Sequence, residues 1–201
     1  MNSLYSFIVK PLNDRYENKI KIGEQEIIVN TSVEEHKFIS KKAIVVSVPL
    51  AFKTEVKVGD EVIIHHNIFR RWYDQHGKAR NSSTYFKEDM YFAMMDQVYM
   101  YKKDGEWKTI GDRCFLKPIK NKDTYRRTFD KKLIGILKYG NSSLEASGIN
   151  PGDLVGFIPD REWEFLIDED LLYCMKSNDI VIKYEYKGNE AEYNPSWAQS
   201  S

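Results

Sequence analysis

Histidine and aspartate residues are the side chains in this chain that could hold a metal ion. His65 and His66 are adjacent, and His76 follows Asp74 closely. Because successive side chains of a strand point to opposite faces, an adjacent histidine pair on a strand does not form one shared site. His76 with Asp74 adds only a weak indication of metal binding. We therefore expect no metal site.

Motifs of enzyme catalysis are absent from the sequence. It has no Gly-rich phosphate loop, no nucleophile elbow and no His-Glu-x-x-His spacing. The carboxylates fall mainly in turns and on predicted solvent faces. Cys114 and Cys174 lie in apolar contexts, which favours reduced core residues over a disulfide. We expect a protein that is not an enzyme and that needs no cofactor.

Aromatic and basic residues are interleaved in residues 65–86, which we call the insertion. It contains Phe69, Arg70, Arg71, Trp72, Tyr73, Lys78, Arg80, Tyr85 and Phe86. This mixture could stack on nucleic-acid bases, or it could form a cation–π-rich packing patch or a subunit contact. A formal net charge of zero argues against a general nucleic-acid partner. The residues that nucleic-acid binding would need on one exposed face are Arg70, Arg71, Trp72 and Lys78.

A turn-and-strand pattern occurs twice, and the chain is organised around it. Residues 56–64 join a Gly-Asp turn to a β-branched run, and residues 149–157 repeat this order. Upstream, Lys10-Pro11 is answered by Lys117-Pro118. The downstream strands match as 90–94 with 164–167 and 96–100 with 170–174. Four features in one order indicate an internal duplication, in which each copy is a small domain.

These patterns predict an all-β protein with two tandem domains and almost no helix. The predicted ranges are 1–110, 111–186 and a flexible C-terminal tail at 187–201. No apolar run is long enough to span a bilayer, and the N-terminus lacks the features of a signal peptide. We therefore expect no membrane partner and a location in the cytoplasm.

An aliphatic triplet, Ile27-Ile28-Val29, lies in the strongly polar stretch 19–36. Polar and apolar residues alternate on either side of a Gly-Glu turn. This pattern predicts a hairpin with Ile27 and Val29 on one face and Ile28 on the other. Because so little apolar area offsets the entropy of ordering, a mobile loop that carries the triplet is the second interpretation.

The ordered set of features resembles the GroES-type co-chaperonin family over most of residues 4–101. The segments that carry the resemblance are Lys10-Pro11-Leu12, Asp14-Arg15, Ile27-Ile28-Val29, Val58-Gly59-Asp60 and residues 95–99. The resemblance implies that both domains are GroES-like, partly open β-barrels. It also implies that Ile27, Ile28 and Val29 are the chaperonin-binding residues of a mobile loop.

Within that family, the chain is most similar to phage-encoded co-chaperonins. Residues 49–55 are too short for the roof hairpin of the bacterial lid, and the insertion has no counterpart in cellular lids. The second copy continues from Lys117-Pro118 through residues 121–129, which contain no aliphatic triplet. We therefore expect only the first copy to dock.

The resemblance implies a co-chaperonin that caps a GroEL-type chaperonin ring and assists ATP-dependent protein folding in that partner. Its subunits would form a homo-oligomeric ring, a heptamer in the family, in the cytoplasm (the host cytoplasm if the protein is phage-encoded). Residues 4–10 would lie near a barrel edge, where a neighbour's terminal strand joins them. The alternative is a non-chaperone structural protein of a virion or ring, built on the same duplicated barrel.

Overall fold

The computed structural model describes residues 2–16, 19–22, 25–28, 38–120 and 130–185. The chain divides into two compact units, Met1–Ile110 (unit 1) and Gly111–Ser201 (unit 2). Among the described residues the only α-helix is α1 (Ser142–Ala146), and nearly all other elements are strands. The predicted all-β fold with almost no helix is therefore confirmed. None of the described helices is long and apolar enough to cross a membrane.

Unit 1 is an antiparallel sheet with two accessory hairpins. Its strands are β1 (Phe7–Pro11), β2 (Lys19–Ile22), β3 (Gln25–Ile28), β4 (Lys42–Ser47), β5 (Glu61–Ile64), β6 (Arg71–Tyr73), β7 (Ala79–Asn81), β8 (Tyr85–Lys87), β9 (Met90–Ala93), β10 (Val98–Lys103) and β11 (Glu106–Thr109). Seven of these strands form one sheet in the order β11-β10-β5-β4-β1-β9-β8. The pairs β2–β3 and β6–β7 form the two separate hairpins.

Unit 2 repeats the same strand order. Its strands are β12 (Arg113–Lys120), β13 (Asp130–Tyr139), β14 (Leu154–Phe157), β15 (Trp163–Ile167), β16 (Asp170–Lys176) and β17 (Ile180–Tyr184). They form a sheet in the order β17-β14-β13-β12-β16-β15, which corresponds strand for strand to β10-β5-β4-β1-β9-β8 of unit 1. The backbone pairing therefore shows the internal duplication that the sequence indicates.

Both copies contain the Gly-Asp turn with the same hydrogen bonds. Gly59 and Gly152 have φ angles of +93° and +95°, a conformation that residues with a Cβ rarely adopt. The Gly59 N–H donates to the Val45 carbonyl at 2.8 Å, and the Gly152 N–H donates to the Leu137 carbonyl at 2.7 Å. In each turn the aspartate carboxylate accepts the backbone N–H three residues earlier, at 2.8 and 2.7 Å. The turn thus joins β4 to β5 and β13 to β14 in equivalent registers.

The downstream match proposed from sequence is wrong by one strand. Residues 90–94 contain β9, which corresponds to β16 because each pairs with the first strand of its unit. Residues 96–100 lead into β10, which corresponds to β17 because each pairs with the strand after the Gly-Asp turn. The turns at Glu88-Asp89 and Asp168-Glu169, all at positive φ, then match as well. Short apolar strands look alike in sequence, and only their pairing distinguishes them.

The first strand lies in the middle of its sheet. β1 pairs with β4 on one side and with β9 on the other, and Phe7, Ile8 and Val9 are buried. The expectation that residues 4–10 lie at an edge open to a neighbour is wrong, because both sides of this strand are already hydrogen-bonded. The described pairings do not join the two edges of either sheet, so no closed barrel is formed in the part of the chain that the structure describes.

Each unit has its own apolar core. Buried members of the unit 1 core include Phe7, Val9, Val45, Val62 and Ile64, and those of unit 2 include Cys114, Leu116, Leu137, Val155 and Met175. Cys114 and Cys174 are free and buried, as the sequence predicts. Cys114 pairs with Met175, so the adjacent Cys174 lies on the opposite face of the sheet. Burial raises the pKa of both thiols, which keeps them protonated and unreactive.

Replacing Gly152 with alanine is expected to destabilise the protein by about 1 kcal/mol. A Cβ there would meet no atom within 4 Å, so the cost comes from the backbone at φ +95° alone. Gly59→Ala should cost the same amount for the same reason. Urea unfolding measures both variants. Lys57→Ala is the control, since it changes an exposed side chain of the same turn; equal stability of all three proteins would contradict the prediction.

Candidate functional site

The segment predicted to dock forms a hairpin that is separate from both sheets. In the β2–β3 pair, Lys19 lies opposite Ile28 and Ile20 lies opposite Ile27. No other described strand pairs with either of these two strands. The backbone agrees with the hairpin interpretation of this stretch, whereas Val29 lies outside the described residues. The mobility of this segment in the free protein stays a prediction.

The segment that carries the hairpin begins at Tyr16 and ends at Ile39, and these two residues are bonded to each other. Tyr16 and Ile39 form an antiparallel bridge, and the Ser40 N–H donates to the Arg15 carbonyl at 3.1 Å. Tyr16 and Ile39 are both buried in the core of unit 1. Residues 16 and 39, at the two ends of the connection that carries the hairpin, are therefore held side by side on the core of unit 1.

Arg15 connects this base to the insertion. Its guanidinium donates to the carbonyl of Phe69, to the carbonyl of Arg70 at 2.9 Å and to Asn81 Oδ1 at 2.6 Å. The same group lies over the Tyr91 ring, 5.1 Å from its centroid. Burial raises the pKa of Tyr91 to about 12, so Arg15 faces a neutral phenol at neutral pH. One arginine thus fixes several points of the insertion at once.

Further contacts hold the insertion on unit 1. The Arg71 guanidinium stacks on the Tyr16 ring at 4.5 Å, and the Arg71 N–H donates to the Tyr16 hydroxyl at 2.7 Å. The hydroxyls of Ser82 and Thr84 donate to the Ile68 carbonyl at 2.7 and 2.9 Å. Ile68 is completely buried. The insertion is therefore a packed part of unit 1.

The exposed face that nucleic-acid binding would need is not formed. Arg71 and Trp72 are adjacent in β6, so their side chains point to opposite faces of the hairpin. Arg71 is engaged with Tyr16, whereas Trp72 pairs across the hairpin with Arg80 and donates its indole N–H to the Asn81 carbonyl. Arg71 and Trp72 therefore do not lie on one face of the hairpin, which is what the nucleic-acid interpretation requires.

Four aromatic side chains of the insertion remain exposed, and we call them the exposed aromatic set. They are Trp72, Tyr73, Tyr85 and Phe86, with exposed fractions between 38% and 47%. Lys87 lies over the Phe86 ring at 5.6 Å, and Phe86 packs on Phe92 at 5.1 Å. Aromatic residues are enriched in protein–protein interfaces. Trp72 and Tyr73 are adjacent in β6, and Tyr85 and Phe86 are adjacent in β8, so the four rings are divided between opposite faces of these strands. Their exposure favours the subunit-contact interpretation of the insertion but does not define one continuous surface.

The adjacent histidines are arranged differently from the sequence expectation. The chain leaves β5 and enters a 3-10 turn at His66–Ile68, so the rings of His65 and His66 stack with centroids 4.5 Å apart. Their expected placement on opposite faces of a strand is wrong for this reason. His65 Nδ1 accepts the Asn67 N–H at 3.1 Å. Within the described ranges, no group of three or more His, Cys, Asp or Glu residues could hold a metal ion.

Asp74 is a turn-forming carboxylate. It accepts the backbone N–H groups of His76 and Lys78 at 3.0 and 2.9 Å, and Arg80 Nε at 2.9 Å. These bonds, first that from Lys78, lower the pKa of Asp74. The short spacing between Asp74 and His76 is thus explained by the β6–β7 turn, in which the carboxylate satisfies backbone donors.

Two features of the site were not predicted from the sequence triplet. Ile20 lies opposite Ile27, and the alternating Lys-Ile-Lys-Ile of β2 was the signal that could have identified it. Arg15 connects to the insertion across 54 to 66 residues of chain. No local pattern marks a contact between residues so far apart in sequence.

Arg15→Lys is expected to loosen the insertion, because an ammonium group cannot reproduce a planar fork that reaches three acceptors. We expect a loss of about 1.5 kcal/mol in the local stability of residues 65–84. Hydrogen exchange of the peptides that cover this range measures it. Arg80→Lys is the matched control, because its ion pair with Asp74 is exposed. Equal exchange in the two variants would contradict the role given to Arg15.

Comparisons with known proteins place the chain in no family. No model of a protein family matches it, and no curated protein matches it. The functional conclusion therefore rests on this chain's own residues. The features on which it rests are the duplicated sheet, the β2–β3 hairpin with its Tyr16–Ile39 bridge and the exposed aromatic set.

Proposed function

We propose that this protein is a co-chaperonin, a lid that caps a chaperonin ring and assists ATP-dependent folding in that partner. The observation that carries the proposal is the β2–β3 hairpin, which pairs with no other described strand and has its base closed by the Tyr16–Ile39 bridge. A segment tethered at both ends, with aliphatic residues in a polar neighbourhood, suits an apolar groove on a partner. The residues assigned to that contact are Ile27, Ile28 and Val29.

In this proposal the two units are tandem GroES-like, partly open barrels. The support is the repeated six-strand order, the two equivalent Gly-Asp turns and the sheet edges that no described pairing joins. With β1 in the middle of its sheet, the strands available for pairing between subunits include β8 and β15. A ring assembled through such edges needs no cofactor in this chain, and ATP is bound by the partner.

Each chain offers one docking hairpin. In unit 1 the connection from β1 to β4 is long enough to hold β2 and β3, whereas β12 is joined to β13 by residues 121–129 alone. These residues include no aliphatic side chain. Unit 2 therefore has a structural role in the proposed lid and does not dock. The number of docking contacts equals the number of chains.

A single hairpin is expected to bind weakly. Complete burial of three aliphatic side chains contributes about 2 kcal/mol each, and ordering the loop offsets much of this gain. A two-stranded hairpin is at best marginally stable in water by itself. A homo-oligomeric ring, seven-fold as the resemblance implies, presents several hairpins at once and raises their effective concentration. Assembly is thus the step that makes the docking strong.

A non-chaperone structural protein of a virion or ring is the second candidate. The observation that favours it is the exposed aromatic set, because exposed aromatic side chains are enriched in protein–protein interfaces. The two candidates share the duplicated fold and differ in the surface that meets the partner. Disruption of the hairpin distinguishes them.

Ile28→Asp is expected to abolish ATP-dependent capture by a chaperonin ring and to leave thermal unfolding nearly unchanged. An unpaired carboxylate in an apolar groove costs several kcal/mol, about 3 at each site, and the loss is repeated around the ring. Val58→Asp is the matched control, since Val58 is 63% exposed in a turn of the same unit. A large loss of melting temperature in Ile28→Asp, or retained capture, would contradict the docking role.

The free protein is expected to sediment as a ring of one defined size at micromolar concentration. Unjoined sheet edges and the exposed aromatic set supply the surfaces for this association. Sedimentation velocity across about 1 to 50 µM measures the assembly, since mass action shifts a weak oligomer over such a range. A monomer at every concentration would exclude both the lid and the structural ring.

A further inference from the structure

The insertion and the docking hairpin occur in the same copy of the duplicated fold. Unit 1 has residues 65–84 between β5 and β8, whereas unit 2 passes from β14 to β15 through residues 158–162 alone. Unit 1 also carries β2 and β3 between β1 and β4, whereas residues 121–129 alone join β12 to β13. The copy that lacks the hairpin thus lacks the insertion as well. This joint occurrence indicates a shared role.

The described backbone contact that closes the base of the hairpin is short. Tyr16 and Ile39 form an isolated antiparallel bridge, and the Ser40 N–H donates to the Arg15 carbonyl at 3.1 Å. Neither residue of the bridge belongs to a strand of the seven-stranded sheet. A contact with so few backbone hydrogen bonds opens more easily than a strand ladder. The position of the base therefore depends on the side chains packed around it.

The insertion supplies some of these side chains. Tyr16 and Ile39 belong to the same buried cluster as Ile68 and Phe69 of the insertion, and all four are at most 6% exposed. Phe69 also packs edge-on against Tyr91 of β9, with ring centroids 5.0 Å apart. The core that holds the base of the hairpin is therefore formed in part by the insertion.

Arg71 of the insertion contacts Tyr16 in two ways. Its guanidinium lies over the Tyr16 ring, 4.5 Å from the centroid, and its backbone N–H donates to the Tyr16 hydroxyl at 2.7 Å. A ring that is held both on its face and at its hydroxyl cannot turn without losing a contact. Because Tyr16 is one end of the base, these contacts fix the point at which the hairpin segment leaves unit 1.

We propose that the insertion is a brace for the docking hairpin, and that Arg71 is a positioning residue that acts through Tyr16. The inference rests on the proposed function, because it concerns the same docking contact. A base held in one position limits the orientations that the hairpin samples, so less conformational entropy is lost when the hairpin docks. The brace uses buried residues of the insertion and leaves the exposed aromatic set for assembly.

Arg71→Met tests the brace, because methionine keeps an unbranched apolar stem and removes the cation. Arg80→Met is the matched control, since it removes the same charge from the other strand of the β6–β7 hairpin, where Arg80 forms an exposed ion pair with Asp74. The Ser40 N–H reports on the base directly through its bond to the Arg15 carbonyl. We expect this amide to exchange about fivefold faster in Arg71→Met and at the wild-type rate in Arg80→Met.

ATP-dependent capture by a GroEL-type chaperonin ring is the second measurement on the same full-length variants. We expect Arg71→Met to weaken capture about tenfold, because the loss is repeated at each hairpin of the ring, and Arg80→Met to leave capture unchanged. Arg71→Lys should restore most of both losses, since an ammonium group also binds the face of an aromatic ring. Tyr16→Phe keeps the ring in the core and removes the hydroxyl, so it should also speed the exchange of the Ser40 amide.

Equal exchange of the Ser40 amide in Arg71→Met and Arg80→Met would overturn the brace. Faster exchange with unchanged capture would overturn its role in docking. A failure of the proposed function looks different, because it appears as retained capture in Ile28→Asp. The exchange measurement needs no chaperonin, so it decides whether the insertion braces the hairpin even in that case.

Discussion

The Gly-Asp turn fixes the register on which both units depend. Besides the bond from each glycine, the Val45 N–H donates to the Asp60 carbonyl at 3.0 Å, and the Leu137 N–H donates to the Asp153 carbonyl at 2.9 Å. A slip of one residue would turn every core side chain of the strand to the other face. The turn therefore decides which residues of β4 and β13 are buried. The register of β4 and β13 in turn fixes the register of the strands that pair with them.

A second support joins the two features that distinguish unit 1 from unit 2. Tyr16 closes the base of the β2–β3 hairpin through Ile39, and its hydroxyl and ring both contact Arg71 of the insertion. Arg15, the next residue along, binds three acceptors of the same insertion. Arg15 and Tyr16, which are adjacent, thus contact both the base of the hairpin and the insertion.

The sequence predicted what local chemistry determines. The β-branched runs and the glycines at positive φ each follow from the conformational preferences of a few neighbouring residues. It could not predict that β1 is central or that β9 corresponds to β16, because alternation is the same for a central and an edge strand. The contacts of Arg15 could not be predicted from the sequence for a related reason. They depend on the packed fold, which brings distant residues together.

In the proposed lid, duplication without a second docking hairpin has a physical consequence. Each added chain contributes two β units to the assembly but only one hairpin to the partner. The affinity of the lid then grows with the number of chains, because effective concentration acts on hairpins alone. In the same proposal, the stability of the assembly depends instead on the sheet edges, which both units provide, and on the exposed aromatic set, which lies in unit 1. The proposal thus assigns docking and assembly to separate residues, so a substitution in β3 is expected to weaken docking without changing assembly.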